Sequence, residues 1–198
     1  MLNEKLFARL KKEYDTYEAK RRELIGVSNT TLSKAKQAIF ALHRDDLSGS
    51  EALLKEVEST FQNLEKQFKV LPELRYEGAY RAAVEEYVEA KLFYEFLHGD
   101  GRAPRTVLYD FKGQSLVQID ADTYLAGLSD FTGELTRKAV QRATQGRMQE
   151  VEKLADTVRD VVEQLIKFDL TGYLRTKYDQ AKQNLRRVEE VLYDIKMR

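Results

Sequence analysis

Only two prolines, Pro72 and Pro104, interrupt the chain's 198 residues, so long stretches contain nothing that forbids a helix. Within them apolar residues recur every three or four positions, the period of a helix with one buried face. Leu53, Val57, Phe61, Leu64, Phe68 and Leu71 form one such stripe and stop against Pro72. Leu174, Tyr178, Ala181, Leu185, Val188, Leu192 and Ile195 form another at the C-terminal end. A first segment runs from Leu2 through Leu24 to Leu42, and Gly26 weakens its middle without ending it. A third helix is expected over about 73–98, stopping at His98-Gly99-Asp100-Gly101, and two more over about 122–145 and 148–169, with Gly172 breaking into the last. Alternation from Thr106 to Ile119 around Lys112-Gly113 suggests a small β-hairpin in the long connection. The pattern predicts an all-α fold, an antiparallel bundle of six or seven helices forming a single domain over 1–198.

Several helices are apolar on more than one side. AAVEEYVEAKLFYEFL leaves little purely polar surface. Such a segment either lies at the centre of the bundle or is covered by another copy of the chain.

Charge and composition narrow the chemistry. Lysine plus arginine equals aspartate plus glutamate at 33 each, so no net field draws the chain to nucleic acid or to a membrane. A polyanion would have to meet a local basic patch. No apolar run approaches the ~18 residues of a membrane span, and the first residues lack the apolar core of a signal peptide. A soluble, cytoplasmic protein is expected. With no cysteine and two histidines, His43 and His98, any metal would be held by oxygen, which favours Mg²⁺, Mn²⁺ or Ca²⁺. Gly-rich phosphate loops, a Gly-x-Ser-x-Gly elbow and a histidine close in sequence to a nucleophile are all missing.

Two acidic motifs stand on helical segments. Glu86 and Glu89 lie three apart, and Asp130 and Glu134 four apart, so each pair shares one helix face. Like charges at these spacings weaken an isolated helix by roughly 0.2–0.5 kcal/mol per pair, and an apolar setting raises the cost. A divalent cation shared by four carboxylates would remove it. Ordinary ion pairs would also: Glu134 with Arg137 on its own helix, and Glu86 with a lysine of a neighbouring one. Gly127 and Gly133 lack side chains where another backbone or a substrate could come close. A separate unit, Glu95-Phe96-Leu97-His98, matches the Glu-x-x-His of di-iron bundles, but it occurs once and at a helix end.

KRRELIGVSNTTLSKAKQAIFALHR over 20–44, EEYVEA over 85–90, DTYLAGLSDFTGELTRKAV over 122–140 and LRTKYDQAKQNLRRVEEVLYDIKMR over 174–198 together resemble the translin superfamily, specifically its translin-associated factor X (TRAX) branch. The resemblance implies a seven-helix bundle whose subunits close into barrels, commonly octamers, around an RNA-holding cavity. TRAX-type subunits are the catalytic ones, cutting short RNA with metal ions. By that resemblance the catalytic and metal-holding carboxylates, for Mg²⁺ or Mn²⁺, fall on Glu86, Glu89, Asp130 and Glu134. All four are acids here, which points to the catalytic branch and to a homo-oligomer carrying its own active sites. The nucleic-acid-binding positions it implies are Arg75, Tyr80 and Arg81; Arg137 joins them because it shares the acidic stripe. Residues 99–121 are shorter than the corresponding TRAX insertion. A non-catalytic RNA- or DNA-binding protein with structural acids is the alternative.

Overall fold

The computed structural model describes residues 3–99 and 119–197. Among them are six α-helices: α1 Glu4–His43, α2 Leu47–Phe68, α3 Gly78–His98, α4 Ala121–Thr144, α5 Met148–Leu165 and α6 Gly172–Lys196. Of the expected hairpin from Thr106 to Ile119 only Ile119 is described, so that expectation lies outside the described residues.

Local chemistry sets the ends of these helices. Asn3, Asp46 and Asp120 each cap a helix by accepting a bond from the backbone N–H three residues on, at 3.2, 2.9 and 2.7 Å. Gly172 opens α6 at φ +54°, a conformation that costs glycine little. The expected third helix is divided. Pro72–Tyr76 is a 3-10 turn anchored by buried Leu74, and Glu77 is extended at ψ 130° before α3 begins. Proline suits the first turn, while the weak helix former Gly78 follows Glu77, whose carboxylate is drawn to Arg21 at 2.6 and 3.2 Å. Helix α5 ends earlier than its expected 169, because its buried stripe ends at Leu165 while Ile166 and Phe168 face outward.

Packing joins the helices into two groups of three, α1 to α3 and α4 to α6, which meet where α3 lies along α4. Small residues on α1, Ser28, Thr31, Ala35 and Ala38, allow α3 to approach closely. Helix α3 is apolar on several sides because it touches α1, α2 and α4 of its own chain. Its composition is that of a central helix. Exposed apolar side chains lie elsewhere, among them Leu6, Phe7, Leu10 and Tyr14 together on the first turns of α1.

No described helix is long and apolar enough to cross a membrane.

Candidate acidic site between α3 and α4

Gly127 brings the two acidic motifs together. A Cβ at this position would lie 2.8 Å from the carbonyl oxygen of Glu85 and from the Val88 side chain, so α4 can approach α3 this closely only without one. Glu86 and Glu89 on α3 then face Asp130 and Glu134 on α4. Each acid of the α3 pair is near enough to both α4 acids for their charges to disfavour its ionisation.

The four carboxylates differ in what meets them. Glu86 lies 3.8 Å from Lys36 of α1. Asp130 accepts from Lys177 of α6 at 2.5 Å, and the same ammonium sits 2.8 Å from Glu85. Glu134 is bonded by His43 Nε2 from the last residue of α1, with Arg137 3.7 Å away. The pairing of Glu134 with Arg137 and of Glu86 with a neighbouring lysine therefore exists, but both contacts are long. Glu89 is 9% exposed and has no hydrogen bond or ion pair among the described residues.

Proton affinities follow from this arrangement. Burial, then the charges of Glu86, Asp130 and Glu134, pushes Glu89 up to about 9, so it holds a proton at neutral pH. Burial raises Glu86 as well, against the pull of Lys36. Asp130 is raised by burial despite Lys177. Burial would lower Lys177, but its bonds to Asp130, Glu85 and Tyr173 outweigh that and hold it above the ordinary range.

Among the described residues no three ligating side chains, as they stand, converge closely enough to share one ion. A cation would have to draw oxygens away from Lys36 and Lys177, or take those that His43 and the lysines leave open. The donor chemistry fits a hard divalent ion: four carboxylates in a desolvated setting, one of them without a partner. Such an ion would offset both the burial and the neighbouring charges that keep Glu89 protonated.

The implied nucleic-acid residues divide. Tyr80 is buried, its hydroxyl 3.3 Å from Glu65, and burial raises its proton affinity. Arg75 clasps the same carboxylate at 3.1 and 2.5 Å and stacks over Phe68. Both tie α2 to the start of α3. Arg81 is exposed, 3.6 Å from Asp120. Arg137 is exposed over the Phe40 ring, at the edge of the acids.

His43 and Lys177 are the contributors that sequence reasoning did not single out. Nothing in local spacing links position 43 to 134 or 177 to 130. The signal that existed was the Glu95 to His98 unit, and it points elsewhere: His98 is exposed and stacks on Tyr94.

Lys138 and Arg142, also unexpected inside, continue the line of Asp130 and Glu134 along α4. Lys138 donates to the carbonyls of Leu42 and His43 at 2.9 and 3.2 Å and to Asp45 at 2.8 Å. Arg142 bonds Asp45 and Glu150.

Comparison with known proteins agrees with this architecture. Translin-associated protein X of Rattus norvegicus is 26% identical over 97% of this chain and 78% of its own length. An uncharacterized protein of Methanocaldococcus jannaschii is 26% identical over 86% of the chain and 69% of its own length. Two solved structures share the fold: AfC3PO in complex with duplex RNA, with a TM-score of 0.82 at 21% identity over 96% of each chain, and apo-NeC3PO, with 0.81 at 22% over 98% of each. The translin family model matches residues 19–198, and the chain belongs to the translin family.

Proposed function

We propose that this chain is a metal-dependent endoribonuclease that cuts short RNA and works as a closed homo-oligomer. The observation that carries the reading is Glu89, a buried carboxylate with three other acids around it and no cation of its own. Packing alone gives no reason to keep that group, which costs stability whenever it ionises. A bound Mg²⁺ or Mn²⁺ supplies a nucleophile at neutral pH and charge for the leaving oxygen.

The chain's residues then have separate tasks. Glu86, Glu89, Asp130 and Glu134 would hold the ion through oxygen, Glu89 as the carboxylate. Lys36, Lys177 and Arg137 place positive charge at the edge of the acids, where a phosphodiester would lie, and Arg81 extends it along α3. Recognition through the backbone suits short RNA of unrelated sequence. The RNA duplex held by the similar AfC3PO supports that class of ligand. Exposed Leu6, Phe7, Leu10 and Tyr14 supply apolar surface for assembly, and the family resemblance implies an octamer.

Labelled single-stranded and duplex RNA, incubated with the purified protein in Mg²⁺ or in chelator, tests the reading. Cleavage confined to the Mg²⁺ reactions is expected. Tight RNA binding without cleavage in either Mg²⁺ or Mn²⁺ would favour the non-catalytic alternative, in which Lys36 and Lys177 neutralise structural acids and His43 bonds one of them.

A further inference from the structure

The two basic side chains beside the Glu134 carboxylate both come closest at the same oxygen. His43 Nε2 bonds Oε2, and Arg137 Nη1 lies 3.7 Å from that atom. Oε1 accepts no hydrogen bond among the described residues. The His43 ring is itself fixed. Its side chain is buried, its ring tilts against Phe93 at 5.0 Å between centroids, and its carbonyl accepts from Lys138 at 3.2 Å. Since Nε2 faces a carboxylate oxygen, that nitrogen is assigned the hydrogen, and a nitrogen bearing hydrogen is a donor and not a ligand.

We propose that His43 is a positioning residue that holds Glu134 by Oε2 and so presents Oε1 to a divalent cation shared with Glu86, Glu89 and Asp130. The proposal rests on reading these acids as a metal site. A glutamate loses considerable side-chain freedom when it binds an ion, and a bond already made by a rigid ring reduces that loss. The anchoring runs from α4 through Lys138 to the end of α1, and from there back through His43 to α4.

The test uses two variants of the full chain. His43→Gln keeps an N–H near the Nε2 position, while His43→Phe keeps a ring against Phe93 and removes the donor. Chelator-treated proteins are titrated with Mn²⁺ by electron paramagnetic resonance, and thermal midpoints are recorded alongside. The Phe variant should bind Mn²⁺ about 10- to 100-fold more weakly, the range for loss of a group that orients a metal ligand, and its RNA cleavage should recover as Mg²⁺ is raised. The Gln variant should stay close to wild type. Should the Phe variant unfold, His43→Asn, too short to reach Oε2, replaces it. Unchanged Mn²⁺ affinity in the donor-free variant, or an equal loss in both, would overturn the positioning role. Wild-type protein that binds no Mn²⁺ would instead remove the metal reading itself, and the proposal with it.

Discussion

A single face of α4 carries Asp130, Glu134, Lys138 and Arg142 at intervals of four, yet its two halves are built on opposite principles. In the second half every charge is answered. Lys138 is 0% exposed and has three acceptors, and Arg142, Asp45 and Glu150 complete a set of two cations and two anions. Asp45 is accordingly held down at about 2, first by Arg142 and then by Lys138 against the cost of burial. In the first half Glu85, Glu86, Glu89, Asp130 and Glu134 face Lys36 and Lys177, with Arg137 at the edge, and the carboxyls that shift are raised. Balanced charge fastens α1 to α4. The unbalanced half is short of positive charge, which the proposed divalent cation would supply.

The largest expected effect separates the halves by activity. Glu89→Gln or Asp130→Asn should reduce Mg²⁺-dependent RNA cleavage at least about a hundredfold, more than loss of an orienting group, because a ligand charge is removed. RNA binding should stay near wild type and the thermal midpoint should not fall. Variants that unfold while keeping activity would place these acids in the balanced class.

Lys138→Met addresses the other half. It leaves two carbonyls and Asp45 without their shared donor, so folding free energy, measured by denaturant titration, should fall by about 2 kcal/mol. Mn²⁺ affinity of the protein that remains folded should change far less.

These two halves were not equally legible in the sequence. The helices were, because their apolar stripes are periodic and prolines are scarce; the errors fell at Glu77 and Leu165, where a side-chain contact and the end of a stripe decide the boundary. Glu86, Glu89, Asp130 and Glu134 were legible as pairs because each pair is local. His43, Lys177 and Lys138 were not, since their partners lie 91, 47 and 93 to 96 positions away. Arg75 is a different case. The family resemblance implies a nucleic-acid contact there, and in the structure its guanidinium bonds Glu65, ten residues earlier, a pairing that the sequence did not signal.

The halves should also respond to pH with opposite sign. Asp45 binds its proton more weakly folded than unfolded, so its contribution is present above the ordinary carboxylate range and is lost as pH falls toward about 2. Glu89 binds its proton more tightly folded, so its contribution is complete below its ordinary value and is lost as pH rises from about 4.5 to about 9. In chelator, the thermal midpoint of wild type should therefore decline across that upper window, and Glu89→Gln should flatten the decline. Identical profiles for the two proteins would show that Glu89 is not destabilised by ionising.

The smallest effect concerns the basic rim. Arg81→Ala and Arg137→Ala should each lower the slope of log RNA affinity against log salt by roughly 0.7–0.9, equally for unrelated sequences. Arg75→Ala should lower the thermal midpoint and leave the slope unchanged, as its bonds to Glu65 require. A slope change at Arg75 alone would move the RNA path to the α2 side.

The central claim is that the unbalanced acids form one divalent-cation site, and calorimetric titration of metal-free protein with Mn²⁺ at neutral pH, repeated in buffers of different ionisation enthalpy, tests it most directly. Wild type should bind with release of protons, because Glu89 must lose its own, and Glu89→Gln should bind far more weakly with smaller release. Mn²⁺ binding of equal strength and equal proton release in both proteins, or no binding by wild type, would contradict the account.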